Sequence, residues 1–475
     1  MSRVLAPLRT DEAWILSLLA ALWCAGLGFA LAQGDLVVLG LLAGIPAAGI
    51  GIAFMLRVIS GNRAATLLLF TFSLIMLAAV FRFREYEDKS LDFQILLKLG
   101  SWALLAGVIL ARFRTHFAVY FNGSAGIWLL LYCWMALTAA YSPAPVPNAV
   151  AVFSLVIFHV FTVYVLSFNS VRSVASAILL AALFLCAVSI VIYFVNPSFG
   201  RMWEWVNGVR IPQNRMRGIT GSPNAVGGVA ALGILLIALF WREFGRTMRL
   251  ISLAAALVFA ASIFFSQSRS PIAAVLVILL GYYLFRPGRG PFVVICGVLG
   301  GAVFLTLLPF IDNILSLLSR SGRAEEILTA TGRSYIWQTV LTLWSQKPLT
   351  GWGYGAMLYV LPSQPGLFEA AAHAHNLFLE VLVGTGIIGF VILTMAVGST
   401  LFWGIRFGEG RGLALVLFVL LRGMTEAAPF SGVAGFTYIS LCFGIALISR
   451  RQAERRYAAM DTINPRHTRG LLPQV

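Results

Sequence analysis

Residues 174–195 read VASAILLAALFLCAVSIVIYFV, an apolar run with no charged residue in it. About 20 residues of helix, rising about 1.5 Å each, cross the ~30 Å hydrocarbon core of a bilayer. Such runs recur along the whole chain. Before this one come Ala13–Ala32, Leu36–Met55, Ala64–Phe83, Phe93–Ala111, Ala125–Tyr141 and Ala149–Leu166. After it come Ala225–Trp241, Ile251–Phe265, Ile272–Phe285, Phe292–Pro309, Leu377–Phe402, Leu413–Met424 and Val433–Ile448. A membrane β-barrel would show alternating segments of about 10 residues instead. The reading is an all-α, polytopic transmembrane helical bundle of about 12–14 spans. With 60% hydrophobic and 11% charged residues among 475, it is not a soluble globular chain.

The formal net charge of +16 would suggest nucleic acid in a soluble protein. Here it follows from the excess of Lys and Arg on the cytoplasmic side of membrane proteins, so no nucleic-acid partner is expected. If the N-terminus is inside, each short inner connection is basic: Arg57 and Arg63, Arg112 and Arg114, Arg172, Arg242 to Arg249, Arg286 and Arg289, Arg406 and Arg411. Both termini are then cytoplasmic, and the first apolar run reads as an uncleaved helix. The cysteines (Cys24, Cys133, Cys186, Cys296, Cys442) all fall in apolar runs and read as small packing residues. Three parts result: N-terminal spans 1–195, a catalytic membrane domain 196–449 with an extracytoplasmic loop 310–376, and a solvated basic tail 450–475.

One stretch outside the spans mixes arginine, histidine, aromatics and glycine. GRSYIWQTVLTLWSQKPLTGWGYG occupies 332–355, and AHAHNLFLEVLVGTGIIG follows at 372–389. Within the loop, Asn313–Ser319 is apolar with helical period, and Tyr335–Trp344 puts Ile336, Val340 and Leu343 on one face. Such helices would lie along the membrane interface, with Trp337, Trp344 and Trp352 as anchors. GWGYG lacks the lysine and strand of a phosphate loop and reads as a tight turn between interfacial helices.

Arginines on the outer side run against the charge bias, and an anionic ligand is the simplest reason for them. Arg215 and Arg217 precede a glycine-rich turn and a helix start at Pro223–Asn224, a setting suited to phosphate oxygens. An arginine pair there could equally bind lipid headgroups. Arg269 sits at the outer end of a span before Ser-Pro, where snorkelling is the plain alternative to a ligand role. Arg422 and Glu426, spaced i, i+4, read as a structural ion pair. His373 and His375 lie where the loop re-enters the membrane. His375 is followed by Asn376 and, on one helical face, by Glu380. A near-neutral pKa would make His375 a proton acceptor for a sugar hydroxyl. His-x-His could also bind a metal, but no further ligand has suitable spacing, so no metal is assigned.

Taken together, the 332–355 stretch and HNLFLEVLVGTGIIG (375–389) resemble the signature of the O-antigen ligase and O-antigen polymerase superfamily. RMRGITGSPN (215–224) and SQSRSPIAAVL (266–276) resemble the two arginine-bearing motifs that precede it there. The resemblance spans roughly residues 210 to 400. It implies a GT-C-type membrane glycosyltransferase that uses an undecaprenyl-diphosphate-linked glycan on the periplasmic face of the bacterial inner membrane, with neither metal nor cofactor. It also implies that Arg217, Arg269 and Arg333 hold the donor diphosphate and that His375 lies beside the acceptor hydroxyl or leaving group. Arg215, Asn376, Glu380, Gly332 and Trp337 would support them. One departure is Ser222, where many relatives carry histidine.

Physically, transfer from a lipid diphosphate needs a cavity at the outer face, cations for the departing charge and a base for the acceptor. The expectation is a polymerase of lipid-linked repeat units of an exopolysaccharide or O-antigen, working beside a chain-length regulator and a flippase. The alternatives are a ligase onto lipid A-core and, in another class, a transporter of lipid-linked sugar, which would place charges near the midplane.

Overall fold

The computed structural model describes residues 55–80, 93–112, 120–206, 209–284, 333–364 and 372–463. The expected spans Ala13–Ala32 and Phe292–Pro309, nearly all of Leu36–Met55, the patch Asn313–Ser319 and Gly332 lie outside them. The chain divides into two compact units, Met1–Thr66 and Leu67–Val475. In the first, Asn62 Oδ1 accepts a hydrogen bond from Ala65 N at 3.0 Å and caps helix α1, Arg63–Ala78.

The second unit is helical almost throughout. In chain order come α2 (Phe93–Arg112), α3 (Ser124–Ala139), α4 (Pro145–Phe168), α5 (Val171–Val195) and the short α6 (Pro197–Gly200). An antiparallel hairpin follows, β1 (Arg201–Val206) with β2 (Val209–Met216), then a 3-10 turn at Gly218–Thr220. Next are α7 (Pro223–Phe240), α8 (Arg246–Ser266), α9 (Arg269–Leu284), α10 (Arg333–Gln346), the short α11 (Met357–Val360), α12 (Leu377–Arg406), α13 (Gly410–Gly423) and α14 (Tyr438–Ile463). Six of these helices hold a stretch long and apolar enough to cross a membrane: α2, α4, α5, α7, α8 and α12. Helices α1, α3 and α9 are shorter but equally apolar. The protein is a multi-pass helical membrane protein.

Local chemistry sets the helix starts. Ser170, Ser222 and Asn376 each precede a helix and accept from N–H groups that have no partner inside it: Ser173 N at 3.1 Å, Ala225 N at 3.1 Å, and both Phe378 N and Leu379 N. Proline at the first helical position, as in α4 and α7, lacks only an N–H that would be unsatisfied anyway. The core gathers around α14. The Tyr438 hydroxyl lies 2.7 Å from the Tyr132 hydroxyl and 2.9 Å from Leu155 O, while Trp128 Nε1 donates to Thr400 Oγ1 at 2.9 Å. These buried polar groups are paired, as a low-dielectric interior requires.

Side chains tie several connections together. Arg411 pairs with Glu243 and, at 3.4 Å, with Glu409, and Arg450 Nη1 donates to Leu166 O and Asn169 O. The Tyr141 hydroxyl donates to Thr350 O at 2.6 Å and the Tyr354 hydroxyl to Gly432 O at 2.7 Å. The first contacts join connections expected to be cytoplasmic, and the second join connections expected to be extracytoplasmic.

Four sequence expectations change. Asn196–Asn224 carries a β-hairpin and not only loop. The tail is not wholly a solvated segment: α14 runs to Ile463, with Gln452 and Ala453 buried. The GWGYG turn is more than a connection, because α12 is broken at Gly386, whose φ is 69° and ψ −172°. Trp352 N donates to Val383 O and Gly353 N to Gly384 O, both at 2.9 Å, while Ile387 N donates to Pro348 O at 2.9 Å. The turn is therefore docked into the break and satisfies the backbone groups the break exposes. Last, the loop tryptophans direct their N–H groups inward. Trp352 Nε1 donates to Leu343 O at 2.8 Å, Trp344 Nε1 to Pro348 O at 3.2 Å, and Trp337 Nε1 to Ala374 O at 3.0 Å. The expected apolar face of α10 is real. Val340 and Leu343 pack with Met357, Leu361, Ala374 and Val383, and Ile336 lies against them.

Candidate active site

The site forms where α7, α10, α12 and the segment after α13 converge. Arg333, the first residue of α10, donates from Nη1 to Thr425 O and places Nη2 3.5 Å from Glu426 Oε1. The same carboxylate oxygen accepts from Asn224 Nδ2, in the first turn of α7. Asn224 Oδ1 accepts from Ser268 Oγ at 3.2 Å, which brings the start of α9 and Arg269 to the cluster's edge. Asn224 O accepts from Arg422 Nη2 at 2.9 Å, and Arg422 Nη1 donates to Thr437 Oγ1 at 2.8 Å. Gly228 makes room for this guanidinium: a Cβ there would lie 2.9 Å from Arg422 Cζ.

Among the described residues the expected i, i+4 pair between Arg422 and Glu426 makes no direct salt bridge, although the two charges still act on one another. Helix α13 ends at Gly423, so Glu426 leaves the helical face and turns to Arg333 and Asn224. Both side chains are buried, at 5% and 7% exposure, where a charge without a partner would be costly.

Next to Arg333 lies the His373–Ala374–His375 turn. The two rings stand edge to face with centroids 4.1 Å apart, and His375 has a positive φ of 48°. That conformation is uncommon for a residue other than glycine and is held by its surroundings. Ala374 N donates to Glu380 Oε2 at 2.8 Å, and Ala374 O accepts from Trp337 Nε1. The peptide between the histidines is thereby clamped from both sides. Asn376 adds a bond from Nδ2 to Met424 O at 3.3 Å.

The electrostatics depart from the sequence expectation. His375 is not near neutral in proton affinity: burial, the neighbouring His373 and the Arg333 charge push it down to about 3. His373 is also lowered, first by burial, with Glu426 acting against and Arg333 adding to the shift. Both rings are neutral at ordinary pH. The Nδ1 atoms of His373 and His375 are buried and make no hydrogen bond among the described residues. An anion arriving at Arg333 would offset its charge and raise the proton affinity of both rings.

The other arginines are spread more widely than the sequence suggested. Arg217 Nε donates to Phe199 O at 3.0 Å and its backbone N to Gly200 O, tying the hairpin base to the short α6. Arg215 Nη1 lies 3.8 Å from Met202 Sδ across the hairpin. Arg269 lines a cleft of about 760 Å³ with Tyr193, Asn214, Phe264, Phe265 and Gln267. Arg333, His373, His375, Asn376, Glu380 and Trp337 thus share one cluster, with Arg269 at its margin and Arg215 and Arg217 at the hairpin. Sequence reasoning missed Asn224, Ser268 and Thr437 as members and misassigned Glu426. An Asn at the head of a span and a Glu beside a helix end were the available signals. Among the described residues, no three His, Cys, Asp or Glu side chains converge so as to hold a metal ion.

Comparison with known proteins bears on the same region. Residues 254–394 match the family described as O-Antigen ligase. The exopolysaccharide production protein ExoQ of Rhizobium meliloti (strain 1021) is 30% identical over 151 residues. That match covers 29% of this chain and 34% of the relative, so the chain matches about a third of the relative's length. A solved chain, described under "Structural coordination of polymerization and crosslinking by a peptidoglycan synthase complex", aligns with a TM-score of 0.38 at 14% identity, covering 70% of this chain and 98% of that one. The matched segment 254–394, which is similar to the O-Antigen ligase family, contains Arg269, Arg333, Trp337, His373, His375, Asn376 and Glu380.

Proposed function

We propose that the protein is a membrane glycosyltransferase that polymerises undecaprenyl-diphosphate-linked repeat units of an exopolysaccharide or O-antigen. The observation that carries the reading is the placement of Arg333 against two half-buried, neutral histidines, both with an Nδ1 atom unengaged among the described residues. An acceptor hydroxyl attacks the anomeric carbon of the donor sugar. The bond from that carbon to the diphosphate oxygen breaks, and the diphosphate leaves with the electron pair. His375 takes the hydroxyl proton. Arg333, with Arg269 and Arg217, stabilises the departing charge, the term that dominates in sites of this kind. Donor binding also favours the base, because the diphosphate counters the Arg333 charge, which adds to burial and His373 in keeping His375 neutral.

The name of the partial relative, an exopolysaccharide production protein, favours polymerisation. The family description favours the second reading, a ligase moving finished glycan onto lipid A-core. In either case the site lies on the periplasmic face of the bacterial inner membrane with both termini cytoplasmic. The partners are the lipid-linked glycan, membrane lipid, and the flippase and chain-length regulator of the same pathway.

A deletion strain tests the two readings. Single repeat units with long chains lost indicate polymerase; long chains retained on the carrier over bare lipid A-core indicate ligase. Arg217→Ala, Arg333→Ala and His375→Ala are each expected to abolish complementation at wild-type protein levels. Normal glycan from all three would overturn the site.

A further inference from the structure

Glu426 has no role in the transfer chemistry above, yet its carboxylate lies 3.5 Å from the Arg333 guanidinium. It lies beyond the matched segment, in the connection between α13 and α14, and is almost fully buried. Its hold on Arg333 is loose: one contact at 3.5 Å, where a charge-assisted bond closes to about 2.7–2.9 Å and an arginine fork can give two. Its hold elsewhere is independent of Arg333. Oε1 also accepts from Asn224 Nδ2, and the Arg422 charge acts on it from the neighbouring turn. A carboxylate secured in this way can lose Arg333 without becoming an unpaired buried charge.

We infer that Glu426 is an intramolecular competitor of the donor diphosphate for Arg333. This deepens the proposed function and rests on it. The need for a competitor follows from the chemistry: donor and spent carrier both carry the diphosphate, so a site that grips the donor strongly also retains the product. An internal anion that reclaims Arg333 weakens both complexes and speeds release. Glu426 is thus a positioning residue that acts through Arg333 and need not touch the sugar.

The test uses the full-length chain in lipid nanodiscs and the binding of undecaprenyl diphosphate, compared among wild type, Glu426→Gln, Arg333→Ala and the double variant. Glutamine keeps the shape and the acceptor for Asn224 while removing the charge. Removing a competing, partly buried ion pair is expected to tighten binding about fivefold, and this gain should vanish when Arg333 is absent. In turnover, Glu426→Gln lowers the KM for donor together with kcat, because release slows; a merely structural glutamate would not give that split. If Arg333→Ala weakens binding but Glu426→Gln leaves it unchanged or weaker, the competitor role is wrong and the diphosphate site stands. If Arg333→Ala binds like wild type, the diphosphate reading itself fails, and the inference with it. Should Glu426→Gln not accumulate, Glu426→Asn gives the same comparison.

Discussion

The docking of the GWGYG turn into the break of α12 makes a sharp prediction at Gly386. Its φ of 69° with ψ of −172° belongs to a region that is essentially reserved for glycine, and holding another residue there costs about 1–3 kcal/mol. Space is a second obstacle. A Cβ at Gly386 would lie 2.1 Å from Leu349 O and 2.5 Å from Thr350 N, both backbone atoms that cannot swing aside. Relief requires residues 348–351 to move off the helix, which endangers the bonds from Ile387 N to Pro348 O and from Ile388 N to Leu349 O. Each is worth about 0.5–1.5 kcal/mol. The expected destabilisation of Gly386→Ala is therefore about 2–6 kcal/mol. Gly398, on the same helix, has nothing within 4 Å of the corresponding Cβ, and Gly398→Ala should be neutral or gain about 0.5–1 kcal/mol from helix propensity. The assay is the apparent melting temperature of both purified variants in one detergent at one heating rate. Equal melting of Gly386→Ala, Gly398→Ala and wild type would refute the docked-turn account.

Two further predictions concern the histidine turn. A histidine in the unfolded chain titrates near ~6.5, whereas folded His375 is pushed down to about 3, so between those values the unfolded chain binds more protons. Stability should fall as pH drops below about 6.5, and His375→Asn should flatten part of that loss in thermal melts between pH 7 and pH 5; an identical slope would count against the burial argument. The second concerns Glu380, which clamps Ala374 N at 2.8 Å. Glu380→Ala leaves a buried N–H unsatisfied at about 1–3 kcal/mol and should lower kcat about tenfold or more, while Glu380→Gln retains an acceptor and should stay within a few-fold. Glutamine as damaging as alanine would mean that the charge matters and not the clamp.

How far the site was legible depends on the kind of signal each residue leaves. His375, Arg333, Trp337, Asn376 and Glu380 lie within one short stretch of sequence and meet in one cluster. Asn224 and Ser268 lie inside the two arginine-bearing motifs but drew no role beside the arginines, and Thr437 comes from a distant segment. Arg422 and Glu426 misled because i, i+4 spacing implies pairing only while the helix continues, and α13 stops between them at Gly423. The break at Gly386 and the turn that fills it left no reading in the sequence.

The amino-acid sequence by itself determined the class of protein, a multi-pass bundle of apolar helices. This follows from a one-dimensional quantity, the length of an apolar run against the bilayer. Tertiary structure decided which charges meet. Partner choice in a buried network depends on where helices stop, on which glycine leaves room for a guanidinium, and on which carbonyls a broken helix exposes. No run length or spacing encodes those, because each is settled by atoms from about thirty to some two hundred residues apart arriving within about 3 Å of one another.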